Sequence, residues 1–406
     1  MSAARTPDAV VIGGGVIGCA IARRAARGGL FVVVLERGTC GAEASHAAAG
    51  MLSPLAEASQ PGPFLDLLLA ARSLYPPFAA EMRDETGIDV GYSDAGTLFL
   101  SLREEDDAEL EHRWSWQRAA ALCVQRLTAD DTRRLEPAVS PAVRFALRFP
   151  GDHQVDNRLL GPALATAASR AGAQVRLGAD AAALLRDGDR VTGVELADGT
   201  RIHAGAVVIA GGSWAGRLRG LPRPLPVEPV HGQLLAIETD PPLFLHVVDS
   251  PRCYLVPRAS GRVIAGATTE RVGYRKAVTP WGVRRLLDGA VEIAPALDHA
   301  PLVETWSGLR PGTPDGLPVL GRDPDLPNLL YATGHFRNGI LLTPLTGDAI
   351  GALLLGEEPG WDLGAYGIER FERGTGSTTP TAGPHAGSAG SAENCPVSPV
   401  CSADSQ

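Results

Sequence analysis

Residues 9–12 form a short, unbroken apolar run, followed by three glycines, an Ala-rich stretch dotted with Arg, and a Gly28-Gly29 stop. A second apolar run, residues 30–35, then ends on Glu36. Runs that are apolar throughout suit strands covered on both faces, so the pattern predicts strand, glycine turn, helix and strand. Residues 64–86 carry Leu65, Leu68, Leu69 and Leu74 on one side and predict a single amphipathic helix. Residues 92–102 and 225–275 read as strand-rich with proline-marked turns, and 175–177, 191–196 and 206–210 as β-type runs. Asp198-Gly199 marks a hairpin turn among them. A last strand over 328–333 leads through Gly334 and Gly339 into a helix over 344–355, with Thr343 the expected N-cap and Pro344 at N1. From 373 to 406 the chain is rich in Gly, Ser, Thr, Pro and Ala and reads as a disordered tail.

Composition narrows the function classes. The 406 residues allow two or three domains, and 37 basic against 46 acidic side chains leave −9, which argues against nucleic acid or an anionic membrane surface as partner. No apolar run reaches the ~18 residues of a membrane span, and no signal peptide is evident. Six cysteines without a CxxC pair point away from a zinc site or disulfide framework. The expectation is a cytoplasmic protein without a metal. Lys276 is the only lysine, so a phosphate loop with its glycine-flanked Lys is excluded, and a pyridoxal Schiff base would have to use Lys276.

Gly13, Gly15 and Gly18 fill a GxGxxG pattern between the first strand and helix. These glycines permit the tight turn, the approach of backbone to a pyrophosphate, and close helix–strand packing, while the helix N-terminus favours phosphate charge. Glu36, 23 residues beyond Gly13, is placed to accept the hydroxyls of an adenosine ribose. The chain has one such unit, so it binds either NAD or FAD. Three features favour flavin: the run 206–210 closing on Gly211-Gly212, the helix start at Thr343-Pro344, and the small-residue segment 43–51. Each also has a plain reading, as a strand-to-loop turn, a capped surface helix and an Ala-rich helix. Ser213 lacks the GxSxG frame of a hydrolase elbow.

The N-terminal fingerprint with Glu36, Ala-Ala-Ala-Gly-Met-Leu at 47–52, Tyr-Leu-Val-Pro-Arg at 254–258, Trp-Ser-Gly-Leu-Arg-Pro at 306–311 and Gly-His-Phe-Arg-Asn-Gly-Ile-Leu at 334–341 resemble the D-amino-acid oxidase superfamily. Within it they are most similar to the glycine oxidases of thiamine biosynthesis. The resemblance covers about residues 8–370. It implies an α/β fold (α+β overall) of the glutathione-reductase and D-amino-acid-oxidase type, with a Rossmann-like FAD-binding domain over 1–85, 147–222 and 301–372. A sheet-rich substrate domain would come from 86–146 and 223–300. The implied reaction passes hydride from the α-carbon of glycine, sarcosine or a small D-amino acid to FAD, and O2 leaves as H2O2. The expected partners are an amino acid and O2, a homo-oligomer (a tetramer), and a thiazole synthase that takes the imine.

Expected substrate-positioning residues are Arg310, whose guanidinium fork matches a carboxylate, Tyr254 as a second donor, Arg337 and Met51. Expected non-covalent FAD contacts are Gly13, Gly15, Val16, Ile17, Gly18, Glu36 and Arg37, then Ala44, Ser45, Ala49, Gly50 and Met51. Ala181, Gly211, Gly334, His335, Phe336, Arg337, Asn338, Gly339, Ile340 and Leu341 complete them. His46 and His335 are read as flanking cofactor-contacting backbone, and Arg252 as an added positive charge near the pocket. Three alternatives stand beside this: a D-amino-acid dehydrogenase feeding a quinone, a flavin-binding module without turnover, and an NAD-dependent dehydrogenase.

Overall fold

In a computed structural model of the chain, residues 5–58 and 60–372 are described; the segment 373–406 lies outside them. Strand β1 (Ala9–Ile12), helix α1 (Val16–Arg27) and strand β2 (Val32–Glu36) form the expected unit. β1 and β2 pair in parallel at the centre of a six-stranded sheet ordered Val319–Arg322, Leu329–Thr333, Ala206–Ile209, β1, β2, Gln174–Leu177. Residues 9–11 and 32–34 are wholly buried, as their unbroken apolar run requires. One face is covered by α1 with helices Asn157–Arg170 and Thr343–Leu355. The last of these approaches α1 so closely that a Cβ on Gly347 would sit 2.8 Å from the Ala20 methyl. The other face packs under a three-stranded antiparallel sheet through Leu184, Val191 and Val194.

A second, eight-stranded sheet runs in the order Leu302–Gly312, Glu228–Glu238, Arg262–Gly266, Tyr254–Pro257, Val247–Asp249, Thr97–Ser101, Phe145–Phe149, Gln125–Thr128. Helix Pro280–Ile293 buries Leu286, Ala290 and Ile293 with one face of this sheet. Its other face carries a smaller cluster with Ala47, Ala49 and Trp306 and turns towards the first sheet.

Three local expectations are corrected. The predicted helix 64–86 is two helices, Pro63–Ser73 and Tyr75–Thr86, broken at Leu74. Pro76 and Pro77 lack amide protons and clash with a preceding turn, so they fit only the first turn of a new helix. Strand Ala181–Asp187 has no counterpart in the β-type runs, because its Ala-Ala-Ala-Leu-Leu start favours helix locally; pairing with Arg190–Leu196 makes it a strand. Thr343 lies inside its helix, and Leu342 is the N-cap. The preceding chain already turns helically, with the Leu342 amide donating to the Asn338 carbonyl, and the Thr343 hydroxyl donates back to the Gly339 carbonyl at 2.8 Å.

A buried ion pair ties the loop ahead of strand Glu228–Glu238 to the edge of the first sheet. Asp323, fully buried, accepts from the Arg223 guanidinium at 3.1 Å, the Tyr331 hydroxyl at 2.8 Å and the amides of Asp325 and Leu326. Arg223→Ala leaves that carboxylate without its cation and is expected to cost about 3–5 kcal/mol. Urea unfolding measures it, and an unmoved midpoint overturns it.

Candidate functional site

A cleft of about 680 Å3 begins at the β1–α1 turn and runs between the two sheets. Gly13 has φ +106°, and a Cβ there would stand 2.5 Å from the Ala210 carbonyl oxygen. A Cβ on Gly18 would fall 1.9 Å from the Gly13 oxygen, so that glycine serves packing and does not line the cleft. The Glu36 carboxylate accepts the Gly14 amide at 2.8 Å through one oxygen and the Gly38 amide at 2.8 Å through the other. The Ser45 hydroxyl accepts the Val16 amide at 3.2 Å, joining the small-residue segment to the helix start. At the rim Arg37 stacks 3.8 Å from the Trp214 ring centroid and pairs with Glu43 at 2.8 Å. Lys276 reaches the other Glu43 oxygen at 2.9 Å.

The segment 44–50 is small-residued because other backbone is pressed against it. Gly50 adopts φ +81°, and a Cβ there would meet the Val155 oxygen at 1.9 Å. A Cβ on Gly308 would fall 2.3 Å from the Ala47 methyl. The segment's carbonyls are held from behind: Asn157 donates to those of Ser45 and His46, Arg258 to that of Ala49 at 2.7 Å, and the Trp306 indole to that of Ala47 at 3.1 Å. His46 is exposed and does not line the cleft.

The far end is built by the register of the second sheet. Asp249 pairs with Tyr254, Tyr254 with Gly266, Gly266 with Leu234, and Leu234 with Trp306. Alternation along a strand then puts Gly232, Gly308 and Arg310 on that same face. The glycines make room: a Cβ on Gly232 would lie 2.2 Å from the Arg310 guanidinium, and one on Gly266 2.6 Å from the Tyr254 ring. Arg310 donates to the Thr268 carbonyl at 3.1 Å, and its burial draws its pKa down from the ordinary value. Burial pushes the Tyr254 hydroxyl up to about 12, against the opposing pull of Arg310, so it stays protonated and able to donate. Arg337 pairs with Glu57 at 2.7 Å, and that carboxylate raises its pKa. His335 is buried, its pKa driven down to about 3 by desolvation, and stands 3.2 Å from the Thr346 hydroxyl.

Nearly all the sequence-derived positions meet on this one cleft. Gly13, Gly15, Val16, Ile17, Glu36, Arg37, Ala44, Ser45, Ala49, Gly50, Met51, Ala181 and Gly211 line it, as do Tyr254, Arg310 and the run His335 to Ile340. Gly18, Gly334 and Leu341 do not: Gly334 makes a turn at φ +75°, and Leu341 is core. Arg252 borders the cleft, but its guanidinium is spent on Asp106 at 2.7 Å and Glu292 at 2.7 Å, so the added charge expected there is neutralised. Sequence reasoning missed Glu57, Asp249, Gly232 and Gly266, which no local motif marks; strand register brings in the last three, and the short helix Pro54–Glu57 brings in Glu57.

The glycine cradle, the paired Glu36 contacts and the long cleft fit a flavin dinucleotide, whose adenosine diphosphate end Gly13, Gly15 and Glu36 would hold. Comparison with known proteins agrees. The family model described as DAO, FAD dependent oxidoreductase, matches residues 8–353. The chain is 38% identical over 366 residues to the glycine oxidase of Geobacillus kaustophilus (strain HTA426), covering 89% of this chain and 97% of that protein. It is 39% identical to the bifunctional protein ThiO/ThiG of Synechocystis sp., over 90% of this chain and 54% of that protein. The crystal structure of glycine oxidase from Geobacillus kaustophilus superposes with a TM-score of 0.86 at 38% identity, covering 90% of this chain and 99% of that one. With its fold and its dinucleotide cleft in agreement, the chain belongs to the DAO family of FAD-dependent oxidoreductases.

Proposed function

We propose that the protein oxidises glycine, and with it sarcosine and small D-amino acids, in the reaction glycine + O2 + H2O giving glyoxylate, ammonia and H2O2. The observation that carries this reading is the half-buried Arg310 beside the protonated Tyr254 at the end of the cleft away from the dinucleotide cradle. Bound FAD supplies the two-electron chemistry, acceptance of hydride from the substrate α-carbon and return of both electrons to O2. The chain's own work is positioning. Arg310, half-buried on the cleft wall, offers a planar fork to the substrate carboxylate. The Thr268 carbonyl fixes the guanidinium, and the Tyr254 hydroxyl supplies a further donor. Met51 lines the cleft as an apolar wall, and the Arg337–Glu57 pair stands at its edge. Orienting the α-carbon in this way contributes several kcal/mol without a strong base.

Further parts of the reading are a cytoplasmic homo-tetramer and a two-domain division, with FAD held by 1–85, 147–222 and 301–372 and substrate by 86–146 and 223–300. A hand-off of the imine to a thiazole synthase in thiamine biosynthesis is supported by the ThiO/ThiG protein, about half of which this chain matches. Among the described residues no helix is long and apolar enough to cross a membrane.

The test is anaerobic addition of glycine to the yellow holoprotein, followed by air. Bleaching, then recovery with one H2O2 per turnover, is the expected result; flavin that glycine, sarcosine and D-alanine all fail to bleach overturns the function. FAD is expected to be held without a covalent bond, since His46 does not line the cleft. Acid precipitation should therefore leave the yellow colour in the supernatant, and a coloured pellet would contradict it.

A further inference from the structure

We propose that Asp249 receives the substrate's amino group and makes the site select amines over 2-hydroxy acids. The proposal rests on the glycine-oxidation reading and adds the second half of zwitterion recognition to it. Asp249 ends strand Val247–Asp249 and pairs with Tyr254, so both side chains rise on the cleft face of the sheet. It lines the cleft and is only 8% exposed. One carboxylate oxygen accepts the Ser250 amide at 2.8 Å; among the described residues no hydrogen-bond donor reaches the other.

A buried carboxylate needs a cation or a set of donors. The charged groups around Asp249 are Glu57, Arg337 and Arg113, with Tyr254 and the Cys253 thiol on the adjoining strand. Arg337 is paired with Glu57, and Arg113 donates to the carbonyls of Ala56 at 2.8 Å and Ala58 at 2.7 Å. Neither cation is hydrogen-bonded to Asp249, while Glu57 repels it. An ammonium brought in by the substrate fits that vacancy in charge, with the substrate carboxylate turned to Arg310. A hydroxyl in its place brings no charge. Burial, with Glu57 adding to it, pushes the Asp249 carboxyl up to about 7. An ammonium seated beside it favours the ionised form, so the bound pair is carboxylate and ammonium.

The experiment compares two ligands on the holoenzyme and on Asp249→Asn. Glycine binding is read from the concentration dependence of anaerobic flavin reduction, and glycolate binding from the perturbed absorbance of the oxidised flavin. Asp249→Asn is expected to weaken glycine about tenfold, equivalent to ~1.4 kcal/mol, while glycolate stays within about twofold. Retained glycolate binding shows that the variant is folded, and Asp249→Glu, which restores the carboxylate, should recover part of the glycine affinity. Equal loss of both ligands, or unchanged glycine binding, overturns the proposal. If glycine fails to reduce even the unaltered protein, the glycine-oxidation reading falls with it; normal reduction by that protein beside an indifferent Asp249→Asn removes this inference alone.

Discussion

Arg310→Ala is expected to lower kcat/KM for glycine by about 10²- to 10³-fold, corresponding to the ~3–4 kcal/mol of a buried charge pair that has lost one partner. The loss should fall mainly on KM, because the carboxylate contact exists before and during hydride transfer, with a smaller loss in kcat from poorer orientation. Flavin content and absorbance should be unaltered, since Arg310 stands at the Tyr254 end of the cleft. Arg310→Lys should recover little: its point charge cannot present two parallel donors. The Cβ that would reach the guanidinium from Gly232 gives an independent check, because Gly232→Ala must displace Arg310 without removing its charge. Steady-state kinetics of the three variants decide the matter, and wild-type values for Arg310→Ala would take that residue out of the site.

Gly13→Ala is expected to yield protein with less than about a tenth of the normal flavin. Its φ of +106° is hostile to any L side chain, and its methyl would stand 2.5 Å from the Ala210 carbonyl oxygen, just past the strand beside β1. The turn that faces the pyrophosphate must then move. Gly29→Ala separates strain from collision: that residue has φ +91° but nothing within 4 Å of its would-be Cβ. It should cost about 1 kcal/mol of stability and keep its flavin. The ratio of flavin to protein absorbance after purification measures both, and a fully yellow Gly13→Ala protein would falsify the assigned role of that turn.

How much of this was legible in sequence depends on distance along the chain. The dinucleotide cradle was readable because its parts, Gly13 to Glu36, lie within one strand–helix–strand unit whose spacing is set by the chemistry it serves. Arg310, Tyr254 and the 334–341 run were found through the resemblance of their motifs, and strand pairing shows why they meet. Glu57 and Asp249 had no such marker: each reaches the cleft only after a helix and a strand far apart in sequence are packed side by side. The split helix and the misplaced cap were misread for local reasons, Pro76-Pro77 and the turn ahead of Thr343. The alanine-rich strand 181–187 shows long-range pairing overruling intrinsic preference.

The salt bridge between Lys276 and Glu43 has a practical consequence. Because Lys276 is the sole lysine and Glu43 borders the cleft, an amine-reactive dye has one side chain to attack, besides the chain's own α-amino group. The lysine-borne fluorophore stands at the rim, where the Lys276 ammonium lies 6.0 Å from the Trp214 ring centroid. Its emission overlaps or escapes flavin absorption according to the dye chosen, so loading of the cofactor can be followed in real time by energy transfer, without any engineered cysteine.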